Sequence, residues 1–197
     1  MKYLGFLLLI FAGGVHAASL SLERGFDIHT INGQKVKSGQ DSYKLIEGSN
    51  QLVLSFDGQL SDGPKTQHLD TKPYVVVIDV NNASNVQLNT ISGKFKVVNK
   101  AIEKNRSWFT LTDNGTALAY TPEVLPATSN YFPYANIPEL VTEYNRDKKI
   151  YFADGEMRDI QELSQTEDSI VFKLQALYLE ATAEQKKEFR KWIVDYD

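Results

Sequence analysis

Chemistry in this chain would have to centre on histidine, hydroxyl and carboxylate side chains, because the 197 residues include three histidines and no cysteine. His29 lies in the stretch GFDIHTINGQKVKSG, residues 25–39. A catalytic histidine needs an orienting carboxylate and a nucleophile within hydrogen-bond reach. Asp27 is close in sequence, but neighbours on a strand point to opposite faces. We therefore interpret His29 as a side chain on a hairpin.

His68 is the second candidate, since Asp62 and Asp70 lie near it in a polar stretch. One histidine and two carboxylates are a ligand set that a divalent metal can accept. No spacing here defines a coordination geometry, and Gly63-Pro64 separates the candidates. A solvated loop is the simpler interpretation, so we expect no metal.

The 25 acidic residues make chance carboxylate pairs unavoidable, and none lies in a recognisable catalytic setting. Ser38 and Ser61 do not follow the nucleophile-elbow pattern, and no phosphate-binding or calcium-loop motif is present. We therefore expect a protein that is not an enzyme and has no cofactor. A weak hydrolase that uses an unrecognised carboxylate pair is the alternative.

The aromatic residues Tyr131, Phe132 and Tyr134 form the candidate binding surface. Exposed aromatic rings can stack on sugars or anchor a protein interface, because they offer a large contact area at little entropic cost. The alternative is that they fill the gap between a sheet and the C-terminal helices.

The first seventeen residues resemble an export signal: Lys2, the apolar run YLGFLLLIFAGGV and small residues before a cleavage point after Ala17. The run is short for a membrane span. We expect a periplasmic protein without a stable membrane anchor; an uncleaved N-terminal anchor is the alternative. The formal charge of −4 argues against a nucleic-acid partner. Without disulfides, the fold must depend on burial of its core.

The elements that position these residues are strands in the N-terminal part. Apolar and polar residues alternate over residues 19–31, with a bulge expected near Gly25, and Asn32-Gly33 predicts a type I′ hairpin turn. A further strand is predicted to end near Phe56, and YVVVIDV, residues 74–80, predicts a central strand covered on both faces. Residues 58–73 are predicted to form a polar connection between strands. KFKVV (94–98), SWFTLT (107–112) and TALAYT (116–121) are predicted strands, and Asp113-Asn114-Gly115 predicts a hairpin turn between the last two.

The C-terminal part changes character at Pro122. Residues 122–165 are rich in proline and aromatic residues and predict a connecting segment, while residues 166–197 predict a helical hairpin. Thr182 and Gln185 form a capping-box pattern at the second helix. Its apolar stripe predicts packing against the core, and its basic face leaves membrane-surface binding as an alternative.

Several stretches resemble a known family: LSLERGFDIHTINGQKV, LIEGSNQLVLSFDG, KPYVVVIDV and the tail FKLQALYLEATAEQKKEFRKWI. They are similar to the YccT-like family of exported bacterial proteins, which includes a protein named as a curli assembly inhibitor. The resemblance carries no catalytic motif. It implies a periplasmic protein that binds another envelope protein.

Together these patterns predict an α+β fold: an antiparallel β-sandwich-like domain over residues 18–121, with a C-terminal helical hairpin packed on it. The predicted function is non-enzymatic contact with another periplasmic or secreted protein, with restraint of a curli-like fibre subunit as a narrower version. A glycan- or peptidoglycan-binding module is the alternative. Unprotected strand edges in residues 26–36 or 107–121 could also add a partner's strand. The sequence leaves the oligomeric state open.

Overall fold

The computed structural model describes residues 17–127, 131–153, 155–159 and 170–196. The leader-like residues 1–16 and the predicted start of the C-terminal helices, residues 166–169, lie outside this part of the chain.

The described residues form strands and helices in a mixed order. The strands are β1 (Ser19–Leu22), β2 (Phe26–Ile31), β3 (Gln34–Lys35), β4 (Ser42–Lys44), β5 (Gly48–Asp62), β6 (Lys65–Asp70), β7 (Tyr74–Val80), β8 (Asn85–Thr90), β9 (Phe109–Asp113), β10 (Thr116–Ala117), β11 (Glu123–Val124), β12 (Ile150–Ala153) and β13 (Glu156–Asp159). The helices are α1 (Phe95–Glu103), α2 (Ile137–Asp147), α3 (Ile170–Glu180) and α4 (Ala183–Tyr196).

Two mostly antiparallel sheets form the body of the fold. The first has the order β10-β9-β8-β1-β4, and the second has the order β11-β7-β5-β2-β3. Strand β6 pairs with the C-terminal half of β5. Strands β1 and β8 are parallel, while the other pairs of these sheets are antiparallel. Strands β12 and β13 form a separate hairpin.

The two sheets share one hydrophobic core. Leu20, Val86 and Leu88 from the first sheet pack in the same cluster as Leu52 and Leu54 from the second. Aromatic rings fill one end of this core, and they are Phe26, Phe56, Tyr74, Trp108, Phe109 and Tyr120. Side chains that interdigitate from two facing sheets are the basis of a β-sandwich. The predicted α+β class and sandwich-like body are confirmed.

Helix α2 covers the outer face of the second sheet. Leu140 and Val141 of this helix form a second buried cluster with Val53 and Val75. Strand β7 is therefore covered on both faces, because its neighbouring residue Val76 points into the main core. The nearly continuous apolar run of β7 was the sequence signal for this double burial.

Both predicted Asn-Gly turns are confirmed. Asn32 and Gly33 have φ angles of 50° and 72°, and Asn114 and Gly115 have φ angles of 48° and 84°. Positive φ at both central residues is the requirement of a type I′ turn. These turns join β2 to β3 and β9 to β10.

The prediction of one continuous strand over residues 19–31 is wrong. Residues 19–31 form β1 and β2, which belong to different sheets, and the chain turns between them at Gly25 with φ 102°. The bulge lies between Ile28 and Thr30, at His29, and not near Gly25. A period-two pattern describes each strand but cannot show that the chain changes sheet between them.

The prediction of a polar connection at residues 58–73 is also wrong, because the chain forms a hairpin there. Strand β5 continues to Asp62, turns at Gly63 and Pro64, and returns as β6. Leu60 and Leu69 are buried in the core and hold this hairpin to the sandwich. With two widely spaced apolar residues among polar ones, the alternation was too sparse to predict a strand.

The predicted strand KFKVV is wrong, because it begins helix α1. Val98 and Ala101 are the buried residues of this helix. They are three positions apart, which places both on one helical face. The β-branched pair Val97-Val98 favoured a strand locally, and tertiary packing overrides such a preference.

Regular structure also lies within the segment predicted as a connection, residues 122–165. Helix α2 begins with Pro138 in its first turn, where a missing N–H is tolerated. The β12–β13 hairpin follows it. The division of the chain into domains stays a prediction.

The C-terminal helical hairpin is confirmed over α3 and α4. The Thr182 hydroxyl accepts a hydrogen bond from the Gln185 backbone amide at 3.2 Å. The Thr182 backbone amide donates a hydrogen bond to the Gln185 side-chain oxygen at 2.8 Å. This reciprocal pair is the predicted capping box, and it begins α4 immediately after the turn.

Candidate functional site

His29 is part of a polar cluster on the outer face of the second sheet. Its Nε2 lies 2.8 Å from the Ser55 hydroxyl oxygen, and its Nδ1 lies 3.7 Å from Asp27 Oδ2. Asp27 and Ser55 are directly opposite each other on β2 and β5. The Ser38 hydroxyl donates to the other Asp27 oxygen at 2.7 Å.

The expectation that Asp27 and His29 point to opposite faces is wrong. The two residues are two positions apart, and alternate residues of a strand share a face. The bulge after Ile28 then turns His29 toward Ser55. Sequence reasoning missed Ser55 because its position depends on the register between two strands.

The cluster has the residue types of a catalytic triad but not its complete bonding. The 3.7 Å between Asp27 and His29 exceeds hydrogen-bond length, so this carboxylate does not orient the imidazole as a triad requires. Burial lowers the pKa of His29, and the nearby charge of Asp27 raises it by less. The imidazole is therefore neutral at pH 7 and forms a polar contact with Ser55 between two strands.

His68 lies on β6 rather than in a loop. Its Nε2 is 3.4 Å from Asp57 Oδ1, and both side chains are more than half exposed. Asp62 instead pairs with Lys96, whose Nζ lies 3.0 Å from its carboxylate. Among the residues that the structure describes, no group of three histidine or acidic side chains is arranged to hold a metal ion.

The aromatic candidates separate into two kinds. Tyr131 and Phe132 are exposed, at 101% and 77% of their full accessible surface. Tyr134 is partly buried against the cluster of Leu140 and Val141, and its hydroxyl donates to the Leu125 carbonyl oxygen at 3.2 Å. Tyr134 thus fills the gap beneath α2, while the other two rings face solvent.

The strand edges proposed for strand addition are short. The β2–β3 hairpin ends in β3, and the β9–β10 hairpin ends in β10, each of two residues. Short edge strands present few unpaired backbone groups to a partner. These two edges therefore offer little template for an added strand.

The C-terminal helical hairpin carries most of the large apolar side chains that are exposed in the described part of the chain. They are Ile170, Val171, Leu174, Leu177, Trp192, Ile193, Val194 and Tyr196. The expectation that the apolar stripe of α4 packs into the core is wrong, because Trp192 is 53% exposed and Tyr196 is 78% exposed.

Four rings on this hairpin form a continuous line, which we call the aromatic row: Tyr178, Phe189, Trp192 and Tyr196. Adjacent ring centroids are 5.8 Å, 5.7 Å and 5.3 Å apart along the row. The row begins with the partly buried rings of Tyr178 and Phe189 and ends with exposed rings. Such rings combine a large apolar area with a polar edge.

An apolar groove of about 580 Å³ lies between the helical hairpin and strand β12. Leu174, Phe189 and Ile193 line it from the helices, while Tyr151 and Phe152 line it from the strand. Sequence reasoning missed this groove. The signal was in α3, whose sequence IVFKLQALYLE is apolar around most of the helix, more than one buried face requires.

No helix among the described residues combines the length and apolar character that crossing a membrane requires.

Comparison with known proteins places these features in a bacterial family. A family described as "Uncharacterized protein conserved in bacteria (DUF2057)" matches residues 19–192. A UPF0319 protein of Vibrio parahaemolyticus is 27% identical over 90% of this chain and 85% of its own length. A UPF0319 protein of Vibrio vulnificus is 25% identical over the whole of both chains. One from Vibrio cholerae is 23% identical over 97% of this chain and 96% of its own. No solved structure matches the chain.

Proposed function

The chain belongs to the DUF2057 family of proteins conserved in bacteria, and we propose that it is an exported, non-enzymatic protein that binds another protein through its C-terminal helical hairpin. The observation that carries this proposal is the aromatic row, which leaves the Trp192 and Tyr196 rings exposed at the end of α4.

Exposed apolar surface of this kind supports a binding role. Monomeric proteins rarely expose large contiguous apolar patches, because apolar surface in water is unfavourable and promotes association. Tryptophan and tyrosine are also the residues most enriched where protein interfaces draw their binding energy. Charged side chains of α4, such as Glu188 and Lys191, adjoin the row in sequence and suit the polar rim of an interface.

The export-signal pattern of residues 1–17 supports a periplasmic location for this contact. The incomplete bonding of the Asp27, His29 and Ser55 cluster supports a non-enzymatic role. A fluorophosphonate probe should leave Ser55 unlabelled. Labelling that Ser55→Ala and His29→Ala both abolish would contradict the non-enzymatic part of the proposal.

Site-specific crosslinking tests the binding surface directly. A photo-reactive phenylalanine derivative placed at Tyr196 should crosslink one discrete periplasmic protein in intact cells. The same derivative at Gln87, an exposed position on β8 of the sandwich, is the matched control and should not. Equal products from both positions, or none from either across growth states, would overturn the proposal.

The narrower version is restraint of an extracellular fibre subunit of the curli kind. Its support is the resemblance of the tail to the YccT-like family, together with the apolar surface that the tail carries. A protein that blocks fibre ends should slow fibre growth at far less than one copy per subunit. Trp192→Ala should remove this effect, whereas Val124→Ser, which alters an exposed apolar residue elsewhere, should retain it. Unchanged lag and elongation with the parent protein would eliminate this version.

Glycan binding is the second candidate, and the full exposure of Tyr131 beside Phe132 favours it. Two adjacent solvent-facing rings can stack on a sugar. The parent protein should then co-sediment with isolated peptidoglycan, and the Tyr131→Ala, Phe132→Ala double variant should not. Co-sedimentation that the double variant retains would exclude this surface.

A further inference from the structure

Two cavities meet beside the C-terminal helical hairpin. The apolar groove of about 580 Å³ shares Tyr151, Phe152 and Leu179 with a second cavity of about 650 Å³. The second cavity lies among α2, the β2–β3 turn and the start of α4. Because these residues line both cavities, the two adjoin each other, and we call them the apolar half and the polar half of one depression.

The apolar half has the size and lining of a small-molecule site. Its volume falls within the range of about 300–1,000 Å³ that is typical of ligand pockets. Leu174, Phe189 and Ile193 present hydrocarbon or aromatic surface on the helical side. A ligand group that fills this half gains by leaving water and needs no hydrogen bonds of its own, as an alkyl chain does.

The polar half brings two cations together from separate helices. Arg146, in the last turn of α2, and Lys186, in the first turns of α4, both line it. The Lys186 ammonium donates to the Leu179 carbonyl oxygen at 3.3 Å and lies 5.6 Å from the centre of the Tyr178 ring. Burial lowers the pKa of Lys186, and the charge of Arg146 lowers it further. An anion between the two groups would relieve this repulsion.

The acidic groups nearby limit how much negative charge this half accepts. Glu139 and Glu143 of α2 line the same cavity, and Glu139 accepts a hydrogen bond from the Asn136 amide at 2.8 Å. The Arg146 guanidinium lies 3.3 Å from the Asp147 carboxylate, which is largely exposed and so neutralises it weakly. This balance favours a head group with one negative charge over a doubly charged phosphate.

We propose that this depression binds a single-chain fatty carboxylate, with its alkyl chain in the apolar half and its carboxylate between Arg146 and Lys186. The two halves adjoin at Tyr151, Phe152 and Leu179, so a ligand whose anionic head is attached directly to its chain can lie across both. The groove shares Tyr178 and Phe189 with the aromatic row, whereas the exposed rings of the protein contact, Trp192 and Tyr196, line neither half.

Calorimetric titration of the full mature chain with decanoate and with decanol tests the proposal. Decanoate should bind at one site with a dissociation constant at least about tenfold below that of decanol. The Arg146→Gln, Lys186→Gln double variant should bring decanoate to the level of decanol. Lys187→Gln is the matched control, because this exposed lysine belongs to the same helix but lines neither half. Leu174→Asn should weaken both ligands.

Three results would overturn the proposal. They are equal affinity for decanoate and decanol, no binding of decanoate up to about 1 mM, and a loss of decanoate affinity in Lys187→Gln that equals the loss in the double variant. Co-sedimentation with phosphatidylglycerol vesicles without decanoate binding would assign the depression to a membrane surface instead. A dimer that the Leu174→Asn substitution dissociates, again without decanoate binding, would assign it to a second copy of the chain.

Discussion

The side-chain amides of Gln51 and Asn145 bond to each other reciprocally between strand β5 and helix α2. The Gln51 amide donates to Asn145 Oδ1 at 2.6 Å, and the Asn145 amide donates to Gln51 Oε1 at 3.2 Å. Both residues are buried, and they are separated by 94 positions in sequence. This pair fixes the helix that forms one wall of the polar cavity to the sandwich.

Asn145→Ala should therefore destabilise the protein by about 1–3 kcal/mol, because it leaves the buried Gln51 amide without its partner. Chemical denaturation measures the change in unfolding free energy. Thr142→Ala, on the exposed side of the same helix, is the control and should change stability little. The Gln51→Leu, Asn145→Leu double variant should lose less than the two single variants together. Additive losses would show that the two amides act independently.

Gly58 lies so close to the Phe56 ring that a side chain has no room there. A Cβ at Gly58 would lie 2.8 Å from Phe56 Cζ, whereas a Cβ at Gly93 would meet nothing within 4 Å. Gly58→Ala should cost about 1–3 kcal/mol of stability through overpacking, and Gly93→Ala should not. Neither glycine has a positive φ, so the comparison isolates the contact from backbone strain. Equal unfolding free energies for the two variants would contradict this account of the packing.

Short-range patterns predicted the elements that local chemistry decides. The two Asn-Gly turns, the apolar run of β7 and the capping box of α4 follow from preferences within a few residues, and each is confirmed. Residues 19–31 show the limit of such patterns, because their alternation of apolar and polar residues does not indicate that β1 and β2 belong to different sheets. Helix α1 shows another limit: Val97 and Val98 favour a strand, and only burial of Val98 and Ala101 against the core decides for a helix.

The binding surfaces depend on strand register and on the packing of distant elements, which one sequence does not show. Ser55 lies opposite Asp27 only because of the register of β2 and β5. Arg146 and Lys186 line one cavity because α2 and α4 come together in the tertiary structure. The stripe of α4 was visible in sequence, but whether the core covers it depends on the space that the other elements leave. Trp192 and Tyr196 remain outside that space.

The partly buried His29 predicts a specific dependence of stability on pH. Burial lowers its pKa in the folded state below the ordinary value of 6.5, so the unfolded chain takes up a proton first as pH falls. The free energy of unfolding should therefore decrease as pH falls from about 6.5 to the lowered pKa, and this histidine should add no further change below it. His29→Gln should remove this part of the pH dependence while keeping a polar group near Ser55.

Denaturation of the parent and of His29→Gln at about pH 7 and about pH 5 measures this difference. His68→Gln is the control, because His68 is exposed on β6 and pairs with an exposed carboxylate. A His29→Gln variant whose stability varies with pH as steeply as the parent's would show that His29 titrates alike in both states.

The capping box at Thr182 should hold the start of α4 and with it the position of Lys186. Thr182→Ala removes the hydroxyl that accepts from the Gln185 amide, which costs about 1 kcal/mol at a typical helix start. Amide hydrogen exchange should become faster in the first turns of α4 and remain unchanged in the sandwich. Thr182→Ser keeps the hydroxyl and should retain the protection. Faster exchange throughout the chain in Thr182→Ala would contradict a local role.

The aromatic residues of the Pro-rich segment should differ in what they contribute. Tyr134→Ala should destabilise the protein by about 3 kcal/mol, since it opens a cavity beside Leu140 and removes the hydrogen bond to Leu125. Tyr131→Ala and Phe132→Ala should change the unfolding free energy by no more than about 0.5 kcal/mol, because their rings face solvent. Tyr134→Phe separates the two contributions of Tyr134: it keeps the ring and loses the hydroxyl, so its loss should be about 1 kcal/mol. A marked loss of stability in Phe132→Ala would show that this ring packs against the fold and is not free to bind a ligand.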